Sequence, residues 1–540
     1  MEEIRNAKSK KEKKQKPLEQ VLMESCNKLR SNMSGINYMY FVMGLVFLKF
    51  ASLKFEKRRE EIMNSDESFG VDDPVFYGAK NIFYIKEKAR WSYIKDHAKD
   101  NKIGTIIDEV LQALEDSNEQ LKGALPIGNY AKTSLPPSNF ASLISEIDKI
   151  HEDKDHPMND LIGKTYQYML NAFAIKTADE KGEFYTPENI VDIITTLIEP
   201  YEGKVYDPCC GSGGMFIQSY KFVEAHKGNI NNISVYGQES NEDTWRLAKM
   251  NLGIRGIPAN LGEHQADTFG NDLHKTETFD YIIANPPFNL SNWRTEEELK
   301  NDPRWAGYGV PPVSNANYAW ILHMLSKLSR NGIAGFLLAN GALGDTDTVE
   351  IRKNLIKNKK IEAIIVLLRE MFYYTDISVT LWIMSENKNA RVVTKGDREI
   401  RLRDRNNEIL FMDLRRMGSK DKDGYIELDM DTDVKKVKET FDNWRSEDYS
   451  TKYKDIPEFC KSVDINTIKN DGKDIEIDED KSNYSLIPSK YIEFIDHDLD
   501  IDFDKEMKRI QKEMAELLKE EKESQEEMIE AFKGIGYELK

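Results

Sequence analysis

Cysteine is the scarcest residue in this chain, four in 540, and two of the four are adjacent. Such a set cannot form a disulfide framework, and it fits a reducing, cytoplasmic setting. Long apolar runs are missing too. The longest candidate, Tyr38 to Phe50, is shorter than a bilayer requires and is interrupted by Lys49. The N-terminus is basic and polar without a hydrophobic segment, so no secretory signal is expected. Positive charge is in deficit. Lys and Arg number 76 against 94 Asp and Glu, a formal net charge of −18. A protein that grips DNA unaided carries a basic footprint, because phosphate neutralisation supplies most of the affinity. Several chemistries lack their residues. Gly163-Lys164-Thr165 resembles the end of a phosphate-binding loop, but position 158 is Met where Gly is needed. His151-Glu152 and His156 have the wrong spacing for a zinc protease, and the adjacent Cys209 and Cys210 are poor zinc geometry. No catalytic metal and no nuclease constellation is expected.

The most informative stretch is Phe279-Asp280-Tyr281-Ile282-Ile283-Ala284-Asn285-Pro286-Pro287-Phe288. Its first part, rich in β-formers, reads as a buried parallel strand. The two prolines cannot donate to a sheet ladder and hold φ fixed, so the backbone leaves the sheet in a rigid, extended shape. The Asn285 amide and the Pro286 carbonyl then become two fixed acceptors with the Phe288 ring beside them. That set suits a planar exocyclic NH2 held by both hydrogens while its ring is stacked, as on an adenine flipped out of DNA. A structural turn after a strand explains most other Pro-Pro pairs.

A second motif lies upstream. Lys204 to Asp207, then Pro208-Cys209-Cys210-Gly211-Ser212-Gly213-Gly214, reads as strand, Gly-rich turn and helix start. Glycines there permit φ > 0 and close approach of a ligand to the backbone. The run is not G-x-G-x-x-G. Ile233 to Gln238 reads as a second strand ending at Glu239, where α/β nucleotide folds hold a ribose diol with an acid. An acid beside a helix start is the plainer account of Glu239 alone.

Together, Asp-Pro-Cys-Cys-Gly-Ser-Gly-Gly, Glu239 and Asn-Pro-Pro-Phe resemble the S-adenosylmethionine-dependent DNA adenine-N6 methyltransferases. More narrowly, Gly182-Glu183-Phe184-Tyr185-Thr186-Pro187 resembles the segment before the first strand in modification (M) subunits of type I restriction-modification systems. Leu18 to Glu61, Asn317 to His323 and Ala339 to Leu343 resemble further segments of that family. The resemblance implies an α/β, doubly wound, Rossmann-like core with an N-terminal helical domain and a C-terminal helical segment. It implies Asn285, Pro286, Pro287 and Phe288 as the catalytic segment. For the cofactor it implies Gly211, Ser212, Gly213, Gly214 and Glu239, with Glu183, Phe184, Tyr185, Thr186, Pro187 and Glu188 closing over it. Asp267 falls where the family carries an acid near the cofactor's adenine, and Asp207 orients the Gly turn or the methionine ammonium. The implied partners are DNA, a specificity (S) subunit, a second copy of the chain and a restriction (R) subunit. The S subunit would account for the missing basic charge. Two rival readings are methylation of a protein glutamine amide, whose motif usually ends in Tyr, and a non-catalytic assembly scaffold. Cytosine N4 would more often place Ser at position 285.

Along the chain, 1–16 reads as a basic disordered tail and 17–155 as a helical domain, with Leu18, Val21, Leu22, Cys26 and Leu29 at helical spacing. Residues 156–480 read as the methyltransferase domain, its core ending near 387. Leu161 to Ala174 should be an amphipathic helix. Strands are expected at 204–206, 233–238, 279–284, 332–339, 361–367 and 377–384, the last two as an antiparallel pair at the sheet's edge. Ile409 to Leu414 should be a further strand. Residues 481–540 read as a C-terminal helical segment whose Met507, Ile510, Met514 and Leu517 make a narrow apolar stripe, for packing on the chain's own body or, as the resemblance implies, on a partner's helix.

Overall fold

The computed structural model describes residues 35–133, 135–151, 161–162, 165–166, 168–169, 186–226, 228–372, 377–396, 398–420, 426–448, 451–473, 475–495 and 503–534. The expected helix at Leu18 to Leu29 and the segment Gly182 to Tyr185 lie outside them.

The helical unit is built on α1 (Gly35–Met63), α2 (Ile103–Asp116) and α3 (Pro137–Asp148). Phe41 to Leu48 are buried without a break, apart from Gly44 all apolar or aromatic, so α1 is the centre of this core rather than an amphipathic surface helix. Its one buried cation, Lys49, is matched by Asp148 at 3.0 Å. Burial alone would raise the Asp148 carboxyl, but hydrogen bonds from Lys95, Trp91 and Lys49 bring it down to about 2. Among the described residues no helix is long and apolar enough to cross a membrane. Leu161, Ile162, Tyr166 and Met169 also pack into this helical core, although the sequence reading groups them with the methyltransferase unit.

The remainder alternates strand and helix. Its elements are β1 (Gly203–Asp207), β2 (Ile233–Gly237), β3 (Ala259–Asn260), β4 (Phe279–Ala284), β5 (Leu328–Ala339), β6 (Ile361–Val366) and β7 (Val379–Ser385), interleaved with α4 (Glu188–Ile198), α5 (Gly214–Ala225), α6 (Glu242–Ile254), α7 (Asn317–Lys327) and α8 (Val349–Lys357). An extension adds the hairpin β8 (Arg391–Lys395) and β9 (Arg398–Leu402), then β10 (Glu408–Asp413), the small hairpin β11 (Ser419–Lys420) and β12 (Ile426–Glu427), α9 (Lys435–Arg445) and β13 (Cys460–Asp464). Helix α10 (Phe503–Gly534) closes the described chain.

One nine-stranded sheet runs β13-β10-β6-β7-β5-β4-β1-β2-β3. β7 is antiparallel to both β5 and β6, while β4 pairs parallel with β1 and β5. The expected antiparallel pair is therefore present, but not at an edge. β10 adds parallel to β6 and β13 antiparallel to β10, so the extension continues the sheet. Alternation sends Val205 and Ile283 to one core and Tyr206 and Ile282 to the other, so both faces are covered. Helix α6 joins the two units. Its Leu247, Met250 and Ile254 enter the helical core, and Lys54 Nζ donates to the Ile254 carbonyl at 2.7 Å.

Candidate active site

β1 and β4 are neighbours in the sheet, so their C-terminal ends bring the Gly turn and the Asn-Pro-Pro-Phe segment side by side. After β1 the chain turns through Gly211 (φ 54°) and Gly213 (φ 83°), the second serving as N-cap of α5. A Cβ at Gly213 would lie 3.1 Å from Leu252, so both conformation and space favour glycine there. The turn is tied to the end of β2. Cys210 N–H donates to the Gln238 carbonyl at 2.9 Å, and Gly211 N–H to Glu239 Oε2 at 3.0 Å. Glu239 Oε1 accepts the Asn241 N–H at 2.8 Å. Ser240 Oγ donates to the same oxygen at 3.4 Å, so this carboxylate spans the Gly turn and the start of α6.

Asp207 closes β1, fully buried, with Oδ1 accepting the Cys209 N–H at 3.0 Å. Burial pushes its carboxyl up to about 7; the hydrogen bonds from Cys209 oppose this and the nearby Glu239 adds to it. Burial and the same two carboxylates also hold the Cys209 and Cys210 thiols well above their usual range. These thiols are not poised as nucleophiles. Asp267 is exposed and takes the Gly270 N–H at 2.6 Å, so it caps its own turn. Next to it, Thr268 Oγ1 donates to the Pro208 carbonyl at 2.5 Å and fixes that loop against the Gly turn.

At the end of β4, Asn285 is half-buried, Pro286 buried and Phe288 half-buried. Asn285 Nδ2 donates to Thr186 Oγ1 at 2.8 Å. Its Oδ1 is buried and, among the described residues, has no hydrogen-bond partner. An orphaned buried acceptor is costly and marks a place where a donor belongs. Phe372, from the loop after β6, stands edge-on to Phe288 with ring centroids 6.2 Å apart. The segment is clasped just downstream by three asparagines. Asn289 (φ 54°) accepts on Oδ1 from Asn315 Nδ2 at 3.1 Å and Asn317 Nδ2 at 2.9 Å, and donates its N–H to Asn317 Oδ1 at 3.1 Å.

Thus Asp207, Gly211 to Gly214, Glu239 and Asn285 to Phe288 gather at the carboxyl ends of β1, β2 and β4, with Thr186 and Pro187 alongside through the Asn285 contact. Glu188, in the first turn of α4, is exposed and ion-paired with Lys221. Glu183, Phe184 and Tyr185 lie outside the described residues. Sequence reasoning missed the asparagine clasp and Phe372. A trace of the clasp was there in Asn317, which opens one of the family-like segments, and in Asn289, which directly follows Phe288.

The doubly wound sheet and the pairing of a Gly turn with an Asn-Pro-Pro-Phe strand end define an α/β, Rossmann-like methyltransferase fold. Residues 157–485 match the N-6 DNA Methylase family model and residues 18–147 the HsdM N-terminal domain. The chain is 35% identical to the type I restriction enzyme HindI methylase subunit of Haemophilus influenzae, over 81% of this chain and 93% of that protein. It is 31% identical to the MjaIX methylase subunit of Methanocaldococcus jannaschii, over 96% and 91%. In fold it is similar to the type I restriction-modification methyltransferase subunit from Streptococcus thermophilus, with TM-score 0.70, 22% identity, and 88% and 99% of the two chains covered. The chain belongs to the type I methylase subunits of the N-6 DNA methylase family and is a DNA adenine methyltransferase. The protein-glutamine and scaffold readings are not favoured.

Proposed function

We propose that this chain is the modification subunit of a type I restriction-modification complex. It transfers a methyl group from S-adenosylmethionine to N6 of adenine in double-stranded DNA, at a sequence chosen by a separate specificity subunit. The observation that carries the reading is the buried Asn285 Oδ1, without a hydrogen-bond partner among the described residues, at the end of β4 and adjacent to the Gly turn of β1.

The adenine amine is a weak nucleophile because its lone pair is delocalised into the ring. Asn285 Oδ1 and the Pro286 carbonyl each accept one N6–H, which draws the nitrogen toward tetrahedral geometry and aims its lone pair. This is positioning and polarisation rather than strong base catalysis. The prolines hold the acceptors rigidly, and Phe288, braced by Phe372, stacks on the flipped base. The cofactor supplies an electrophilic methyl group. Gly211, Ser212, Gly213 and Gly214 let its methionine part approach the backbone at a helix N-terminus. Asp207 faces the ammonium or orients the turn, Glu239 takes the ribose hydroxyls and Asp267 lies toward the adenine. After transfer, the proton on N6 leaves to water.

DNA, a specificity subunit, a second copy of the chain and a restriction subunit complete the assembly, in the cytoplasm. Helix α10 is the docking element for the partner. Nucleoside mass spectrometry of DNA from a methylation-free host tests the whole reading. N6-methyladenine is expected when chain and specificity partner are expressed together. Asn285→Ala should lower the signal by about 10²–10³-fold while cofactor binding and assembly persist. Undiminished methylation by Asn285→Ala would remove the assigned mechanism.

A further inference from the structure

We infer that Thr186 is a positioning residue for the reaction: its hydroxyl accepts from the Asn285 amide nitrogen in the orientation that presents Oδ1 to the target amine. The inference rests on reading Asn285 as the residue that grips that amine. An amide side chain has a donor end and an acceptor end of nearly the same shape, and its terminal torsion is broad and nearly two-fold. Only one of its two settings suits an amine that donates both hydrogens. With Nδ2 turned inward, an N–H would face an N–H and one acceptor would be lost. In the productive setting Nδ2 needs its own acceptor, and Thr186 Oγ1 supplies it at 2.8 Å. Oδ1 is then left buried and, among the described residues, unpartnered, facing the place of the substrate amine.

The hydroxyl is held in place by its backbone. Thr186 precedes Pro187, which restricts it to extended geometry, and Pro187 (φ −57°, ψ 145°) is the N-cap of α4. The carbonyl of Pro187 accepts the N–H groups of Ile190 and Val191 at 3.1 and 3.3 Å. As a β-branched residue, Thr186 also has a stiff χ1. The contact joins positions 99 residues apart, so α4 and β4 must both be in place before the amide is set.

Valine matches threonine in shape and lacks only the hydroxyl, which makes the test direct. Thr186→Val, Thr186→Ser and Asn285→Ala are compared in the complex with the specificity subunit. S-adenosylmethionine affinity is measured by titration and methyl transfer at saturating cofactor and DNA. Thr186→Val should lower kcat about ten- to a hundredfold, the effect of leaving one buried polar group unpartnered, with cofactor affinity within about threefold. Thr186→Ser should restore kcat to within about threefold. If Thr186→Val keeps full kcat while Asn285→Ala is inactive, the positioning role fails and the role of Asn285 stands. The same follows if Thr186→Val weakens cofactor binding and saturation restores kcat, since Thr186 is then only a cofactor contact. It follows too if Thr186→Ser is as slow as Thr186→Val, which makes the effect steric. Full activity of Asn285→Ala removes the reading on which the inference rests.

Discussion

Asp207 shows how much one buried carboxyl can report at the scale of a residue. In the unfolded chain an aspartate ionises near pH 4; here burial first, then Glu239, push it up to about 7. Between those values the folded chain keeps a proton that the unfolded chain has released. The linkage sign is therefore negative, and the Asp207 contribution to stability falls as pH rises from about 4 to about 7. On the reading that Asp207 faces the cofactor's ammonium, that charge would offset the loss, because it favours the ionised form. Binding of S-adenosylmethionine should thus tighten as pH rises through about 7. Asp207→Asn should flatten the profile and weaken binding at pH 8 by about tenfold or more, the loss of a charge-assisted contact. Calorimetric titration at pH 6 and pH 8 reads both effects. An affinity that does not change across that window would separate Asp207 from the ammonium and leave it as a support for the Gly turn alone. That support is already visible in its hydrogen bond from Cys209.

At the scale of elements, the extension is fastened to the core through a charge cluster. Glu199 follows α4 in a left-handed conformation (φ 53°) and is buried. Lys395 from the β8–β9 hairpin lies 2.5 Å from it, with Lys438 and Arg445 from α9 at 2.9 and 3.0 Å. Burial would raise the Glu199 carboxyl, but Lys395, Lys438 and Arg445 together hold it well below the usual carboxylate range. Burial likewise brings Lys395 down to about 7, with Arg445 acting in the same sense and Glu199 against it. Removing Glu199 takes from Lys395 its buried carboxylate partner and from Lys438 and Arg445 one of two anions, so Glu199→Gln should cost about 3–5 kcal/mol, read from urea unfolding midpoints. An unchanged midpoint would mean that Asp442, which pairs with both Lys438 and Arg445, carries the joint alone. None of this joint is legible in Glu199-Pro200-Tyr201-Glu202-Gly203, which reads as an ordinary turn. The strands were legible for the opposite reason. β6 is buried at all six positions, and such runs announce themselves whatever their neighbours. Polar pieces such as Cys460–Asp464 and the β8–β9 hairpin carry no such signal, and the insertion of β7 between β5 and β6 is a tertiary fact. The site divides in the same way. Asn285 to Phe288 and the Gly turn follow from local backbone chemistry, whereas the Thr186 and Asn289 contacts join residues 99 and 28 positions apart.

At the scale of the whole molecule, the charge balance and α10 belong together. A net charge of −18 opposes unaided binding to a polyanion. Helix α10 meanwhile leaves its apolar stripe in solvent: Met507 is 48% exposed, Ile510 42%, Met514 60% and Leu517 64%. The stripe recurs every three and four residues, the spacing of a helix that completes its core with another helix. Around it the helix is laced with ion pairs one turn apart, such as Arg509 with Glu513 and Lys519 with Glu523, which keep an unpartnered helix wet and helical. A chain of net negative charge that displays an exposed helical stripe is expected to gain its hold on DNA through a partner docked on that stripe. Ile510→Asp with Leu517→Asp places two charges on the seam without touching any buried position. The thermal midpoint and S-adenosylmethionine affinity of the isolated chain should stay unchanged. Co-purification of the specificity subunit and partner-dependent N6-methyladenine should fall together, each by about tenfold or more, since charges buried in a helix seam are strongly disfavoured. If assembly survives while methylation is lost, α10 acts on DNA placement rather than on docking. If both survive, the seam is not the joint, and the partner must bind the helical unit or the sheet extension instead.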